Sequence, residues 1–232
     1  MRVEDLTKTL DHLVLAPALG AEEVERACEE AVELHVAALV ALPYMVPTVA
    51  DRLRGSDVKT CAAVGYPLGG DTHAVKLAAA EQAVDDGADE IEVVMNVPAL
   101  VSGEFTFVRD ELRRIIRAVQ SRAVNSGKGS TLVKVIVEAP MLDDKLLRLA
   151  CKIVADSGAD FATTCTGYGG AATPHAVEIM RDALPEQVGV KASGGVKTFE
   201  EVETLISAGS ARVGTSVTKA VVDELVVING GG

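Results

Sequence analysis

Residues 86–96 read Asp86-Gly-Ala-Asp-Glu-Ile-Glu-Val-Val-Met-Asn96. A glycine-bearing turn leads straight into an apolar, β-branched run, the composition of a helix end feeding a strand. The same Gly-Ala-Asp stands in Ser157-Gly-Ala-Asp-Phe161, again between a helix pattern and a strand pattern. Outward from these two turns, short apolar runs alternate with amphipathic stretches along the whole chain. Strands are predicted over Leu10–Leu15, Val36–Leu42, Val58–Val64, Glu90–Asn96, Leu132–Glu138, Phe161–Thr166, Val188–Ser193 and Arg212–Thr215. Between them, Val24, Ala27, Ala31 and Leu34 recur on one helical face, as do Leu146, Leu149, Ile153 and Val154. The longest helix is predicted from Phe105 to about Val124, followed by a Gly/Ser-rich connection over Asn125–Ser130. Thr198-Phe-Glu-Glu201 is a capping box, and Pro174 reads as a first-turn proline after Thr173. Eight strands with seven helical crossovers and no linker-like stretch predict one α/β domain over residues 1–232, a single (β/α)8 TIM barrel. The alternative, a doubly wound open sheet, lacks a glycine-rich fingerprint after the first strand. In a barrel both Gly-Ala-Asp turns fall on the stability face, so their aspartates are read as structural.

Composition narrows the function. The 232 residues are 48% hydrophobic, enough for a full core, but only 3% aromatic with no Trp, so Val, Ala, Leu and Ile must build it. A net charge of −12 argues against nucleic-acid or anionic-membrane binding, which needs a basic face. A small anionic partner would need a local basic pocket. No apolar run approaches the roughly 20 residues that span a bilayer, and Met1 to Leu10 lacks a signal-peptide core. Cys28, Cys61, Cys151 and Cys165 show no CxxC spacing. Cys28, Cys61 and Cys151 read as buried or free thiols of a reducing cytoplasm, Cys165 is set apart as a candidate pocket residue, and neither a metal nor a cofactor is expected.

Parity places chemistry on the strands. Glu92 and Asn96 share a face of the fourth strand, Lys134 and Glu138 of the fifth, Thr163 and Cys165 of the sixth, Lys191 and Ser193 of the seventh. Charges in the middle of parallel strands are costly to bury unless paired, so these converge on a polar site or on a structural ion-pair network, Lys134 with Glu138 or Lys191 with Glu92. Lys76, on the helix after the third strand, reads as solvated. Three glycine-bearing segments follow the last three strands: Thr166-Gly167-Tyr168-Gly169-Gly170, Ser193-Gly194-Gly195 and Gly214-Thr215-Ser216. There backbone amides can approach an anion, and Gly167, Gly194, Gly195, Gly214, Thr215 and Ser216 are the predicted phosphate-binding residues.

In order and spacing, Leu10-Asp11-His12, Gly65-Tyr-Pro-Leu-Gly69, Gly87-Ala-Asp-Glu-Ile91, Lys134-Val-Ile-Val-Glu138, Gly158-Ala-Asp-Phe161, Thr164-Cys-Thr-Gly167 and Lys191-Ala-Ser-Gly-Gly195 resemble the deoxyribose-phosphate aldolase family over nearly the whole chain. The resemblance implies a TIM-barrel class I aldolase acting on phosphorylated sugars without metal, through a lysine Schiff base. It aligns Asp11 with the family's first-strand aspartate, and Lys134 and Lys191 with two active-site lysines. The family's imine-forming lysine, two residues before the Ser/Cys-Thr-Gly stretch, falls on Thr163, which cannot form an imine. Glu92 stands for a proton-transferring aspartate, Ala16-Pro17 for a stretch often polar or basic, and Val40 for a frequent cysteine.

Three readings follow. Lys191, or Lys134, is a relocated imine former, which requires its pKa to be depressed, as by another cation nearby. Alternatively the enzyme works without an imine, as an aldolase, isomerase, dehydratase or cyclase. In that case Lys191 and Lys134 are cations for an oxyanion, Glu92 transfers protons, and Thr163, Cys165, Asn96, Glu138 and His12 shape the pocket. The third reading is a non-catalytic sugar-phosphate binder. His12 is expected to pack or hydrogen-bond, while His35, His73 and His175 lie at the surface. The expected partner is a small anionic carbonyl compound or sugar phosphate, with neither nucleic acid nor membrane, and the expected assembly is a homodimer.

Overall fold

The structure, a computed structural model, describes residues 1–230. Strands β1 (Leu10–Val14), β2 (Ala38–Ala41), β3 (Lys59–Val64), β4 (Glu90–Val94), β5 (Leu132–Ile136), β6 (Phe161–Thr163), β7 (Gly189–Ser193) and β8 (Arg212–Thr215) pair in sequence order, all parallel. Pairing of β1 with β8 closes the barrel. Around it run α1 (Val3–Thr7), α2 (Ala21–Glu33), α3 (Val46–Arg52), α4 (His73–Asp85), α5 (Val97–Val101), α6 (Phe105–Asn125), α7 (Asp144–Ser157), α8 (Pro174–Ala183), α9 (Phe199–Ser207) and α10 (Thr218–Gly230). All eight predicted strands are present, but five of them, β1, β2, β4, β5 and β6, end one to three residues short of the predicted C-terminus. There the chain leaves the sheet to build loops: Asn96 caps α5 and Glu138 turns into a left-handed conformation (φ 56°, ψ 51°).

Strand alternation separates two environments. Outward residues such as Leu39, Ala62, Ile91, Val93, Val135 and Val190 pack against the helices in the main core. Inside the barrel the wall is divided. On β2 and β3 it is apolar, with Ala38, Val40, Cys61 and Ala63 packed beside Leu13, Leu15 and Tyr66. The charged side chains come from β1, β4, β5, β7 and β8.

The Gly-Ala-Asp turns do what their position requires. Asp89 Oδ2 accepts the Thr60 amide at 3.0 Å and Asp160 Oδ2 the Val133 amide at 2.7 Å, so each aspartate ties its own strand to the start of the preceding one. Thr198 and Glu201 form the capping box, and Thr173 caps α8 ahead of Pro174.

Lys76 contradicts the solvated reading. It is fully buried under α6, where its Nζ donates to Glu111 Oε2 at 3.0 Å and to the Val94 carbonyl at 3.1 Å. Its stem fills the space beside Gly65, where an added Cβ would lie 3.4 Å from Lys76 Cε. The ammonium therefore ties α4 to α6 and to the end of β4, a long-range partnership that helix periodicity does not encode. Substituting Lys76→Ala should destabilise the fold by about 3–5 kcal/mol, because it strands the buried Glu111 carboxylate. Urea unfolding of the variant against wild type measures this, and Glu111→Gln, which keeps a hydrogen-bonding partner, should cost less.

Candidate active site

Six charged side chains meet inside the barrel. Asp11 is their hub: Oδ2 takes Lys134 Nζ at 2.6 Å and Lys191 Nζ at 2.9 Å, and Oδ1 takes Arg212 at 2.6 Å. Lys134 also pairs with Glu90 at 2.7 Å, Arg212 reaches Glu90 at 3.4 Å, and Lys191 pairs with Glu92 at 2.8 Å. Three cations face three carboxylates, so the cluster is electroneutral. Asp11, Lys134 and Lys191 are 0% exposed and Glu92 2%. Thr163, also buried and level with Lys191 in the β6–β7 pairing, donates its hydroxyl to Glu92 Oε1 at 2.6 Å. A neutral donor thus stands where the resemblance places a third lysine.

Electrostatics fix the protonation. Burial alone would lower the Lys191 pKa, but the Asp11 and Glu92 carboxylates outweigh it and the nearby Lys134 cation, leaving the net shift upward. Lys134 is likewise raised, well above an ordinary lysine, against its desolvation. Asp11, despite full burial, is held far below the usual carboxylate range by Lys134, Lys191 and Arg212. The two carboxylates thus oppose the depression that an imine-forming Lys191 would require.

The remaining predicted site residues part company. Glu138 does not pair with Lys134, because the left-handed turn carries it off the strand face; Oε1 instead accepts the Thr166 amide at 2.6 Å. Asn96 belongs to the backbone, accepting the Ala99 amide at 3.1 Å as the α5 cap. Cys165 is buried, with Sγ 3.0 Å from the Ser193 carbonyl, and burial pushes its thiol up to about 11. His12 Nδ1 hydrogen-bonds Thr218 Oγ1 at 2.7 Å. His35 and His175 are exposed, whereas His73 is half-buried.

An open cavity of about 740 Å³ lies at the C-terminal rim, above β1, β7 and β8 and between α2 and α10. Its size suits a small molecule. Gly194, Gly195, Gly214, Thr215 and Ser216 line it, as do His12 and the basic Arg26, Lys197 and Lys219. Glu23 and Glu30 line it too, so the basic pocket expected for an anion is of mixed charge. Gly167 stays outside the lining, and its place is explained by close packing: a Cβ there would lie 3.3 Å from Gly194 Cα. Gly194 itself has φ 107° and no room for a Cβ, which would lie 2.5 Å from Cys165 Sγ. Thr163, Cys165 and the charged cluster do not line the cavity either. Lys191 comes near it, since a Cβ on Gly214 would lie 3.2 Å from Lys191 Cε.

Sequence reasoning missed Glu90 and Arg212. Parity held the signal for both, because Glu90 shares the Glu92 face and Arg212 that of Gly214. It also missed Tyr66 and Tyr168 at the cavity, and nothing in local spacing marks them. Among the described residues, no three His, Cys, Asp or Glu side chains group as metal ligands, and no helix is long and apolar enough to cross a membrane.

The pKa directions set a stability profile. Asp11 is depressed, so its contribution is full above the unfolded aspartate pKa of about 3.9 and is lost as pH falls below it. Lys134 and Lys191 are raised, so theirs is full below about 10.4 and lost as pH rises beyond. The unfolding free energy measured in urea should therefore form a plateau between these limits. Asp11→Asn should lower the plateau by about 3–5 kcal/mol by leaving three cations with two carboxylates.

Comparison with known proteins agrees with this architecture. Residues 6–221 match the DeoC/LacD family aldolase profile. The chain is 39% identical over 221 residues to the deoxyribose-phosphate aldolase of Caldanaerobacter subterraneus subsp. tengcongensis, covering 95% of this chain and 93% of that one. Among solved structures it superposes on an aldolase called QR15 with a TM-score of 0.88, at 32% identity over 97% of each chain. It also superposes on the tetrameric deoxyribose phosphate aldolase of Aeropyrum pernix with a TM-score of 0.89, at 30% identity over 98% of this chain and 93% of that one. The chain belongs to the DeoC/LacD aldolase family.

Proposed function

We propose that this enzyme makes or breaks a carbon–carbon bond of a small anionic carbonyl compound by aldol chemistry, with Lys191 as a permanent cation in place of an imine. One observation carries the reading: the Lys191 ammonium is held between Glu92 at 2.8 Å and Asp11 at 2.9 Å, beside a threonine that cannot form an imine. Imine formation needs a neutral amine, and these carboxylates oppose it. An ammonium in a dry site is instead suited to an oxyanion, whose charge it meets with little reorganisation.

The substrate's anionic group, a phosphate in the two relatives named as deoxyribose-phosphate aldolases, sits against Gly194, Gly195 and Ser216, with Thr215 and Gly214 beneath and its carbonyl directed towards Lys191. In the cleavage direction the Glu92 carboxylate takes the hydroxyl proton of a β-hydroxy carbonyl compound. The carbon–carbon bond then breaks, and its electron pair passes to the carbonyl oxygen as an enolate, which the Lys191 ammonium stabilises. Glu92 finally returns the proton to the enolate carbon. Thr163 orients Glu92 through Oε1, while Asp11, itself anchored by Lys134, keeps Lys191 charged and in place. The four cysteines are free thiols, which suits a cytoplasmic protein, and a homodimer is the proposed assembly.

Borohydride reduction with deoxyribose 5-phosphate and small aldehydes, followed by peptide mass spectrometry, tests the reading. A ligand-induced rise in Tm first establishes which compounds bind. The wild type should then give no stoichiometric lysine adduct with a bound ligand, whereas Thr163→Lys should gain one on the peptide carrying position 163. A stoichiometric wild-type adduct on Lys191 that disappears in Lys191→Ala would overturn it.

A further inference from the structure

The Thr166 peptide is gripped on both sides. Its N–H donates to Glu138 Oε1 at 2.6 Å, and its carbonyl accepts the Tyr66 hydroxyl at 3.2 Å. Tyr66 follows β3, Glu138 follows β5 and Thr166 follows β6, so the two bonds strap three loops together across the barrel mouth. The Tyr168 ring stands edge-on to Tyr66, with centroids 5.8 Å apart at 84°. Glu138 holds its end from a left-handed backbone that a non-glycine residue seldom adopts, and it is buried with Oε2 unpartnered.

Tyr66 belongs to both halves of the site. It lines the open cavity, and it packs on the apolar interior wall of Ala38, Val40, Cys61 and Ala63. Burial and the neighbouring Tyr168, Glu138 and Glu92 push its phenol up to about 12, so the hydroxyl stays a donor. Lys191 and Glu92 lie just beyond, closed off from the cavity.

We propose that Tyr66 is a specificity-determining residue: its bond to the Thr166 carbonyl closes the way from the open cavity to the Lys191–Glu92 pair and limits the width of the carbonyl compound that reaches them. The inference rests on the proposed role of Lys191, and its test is independent of turnover. The probe is the Thr163→Lys protein, whose added amine stands beside Lys191 and is pressed towards its neutral form by that cation, so borohydride trapping of acetaldehyde and of the bulkier benzaldehyde, read by peptide mass spectrometry at position 163, reports access to the pair. Adding Tyr66→Phe keeps the ring and removes one neutral hydrogen bond, so trapping at position 163 should rise about fivefold. The increase should be larger for benzaldehyde, and larger again with Tyr66→Ala. Equal trapping with and without Tyr66→Phe, strong or absent in both, would overturn the proposal and leave Tyr66 a packing residue, even if Tyr66→Ala differs. Trapping that rises while the protein with Thr163 in place turns over no aldol substrate would support the strap and count against the reaction.

Discussion

The Asp11 carboxylate is the constraint on which the interior depends. One oxygen takes both Lys134 and Lys191, and the other takes Arg212. Isolated charges at this depth would cost several kcal/mol each, and only mutual pairing makes them tolerable. Charge balance is then the condition of the fold. With Glu90 and Glu92 the carboxylates match the cations, and a third lysine on β6 would leave one positive charge in excess unless it gave up its proton.

That balance links a single residue to chemistry. At position 163 a lysine beside Lys191 would be pressed by its neighbour towards the neutral amine. Thr163 removes the pressure, and its hydroxyl bonds to Glu92, which in turn holds Lys191 protonated. Glu92 reaches both partners, one with each carboxylate oxygen. The apolar wall of β2 and β3 lines the rest of the interior and keeps the dielectric low around these charges.

Much of this was legible in the sequence because it rests on local rules. Strand alternation put Lys134, Lys191, Glu92 and Thr163 inside, and turn chemistry assigned Asp89 and Asp160 to backbone anchoring. What escaped depends on contacts between distant elements. Lys76 looks solvated until α6 covers it with Glu111. Glu138 obeys strand parity only if the strand continues, and a left-handed turn removes it from the face. Gly214, read from the sequence as an anion-binding residue, is crowded by Ser193 and Lys191, which leave no room for a Cβ. Tyr66 spans a loop pair that no periodicity connects.

The ionisation of Lys191 is the most direct test of the account. NMR of the lysine Cε and Nζ resonances in isotopically labelled protein, assigned with Lys191→Arg and Lys134→Arg, follows each ammonium through a pH titration. Lys191 should remain protonated beyond the ordinary lysine pKa of about 10.4 until the fold is lost. Deprotonation near neutral pH in the folded protein would contradict the cationic role and restore Lys191 as an imine-forming nucleophile.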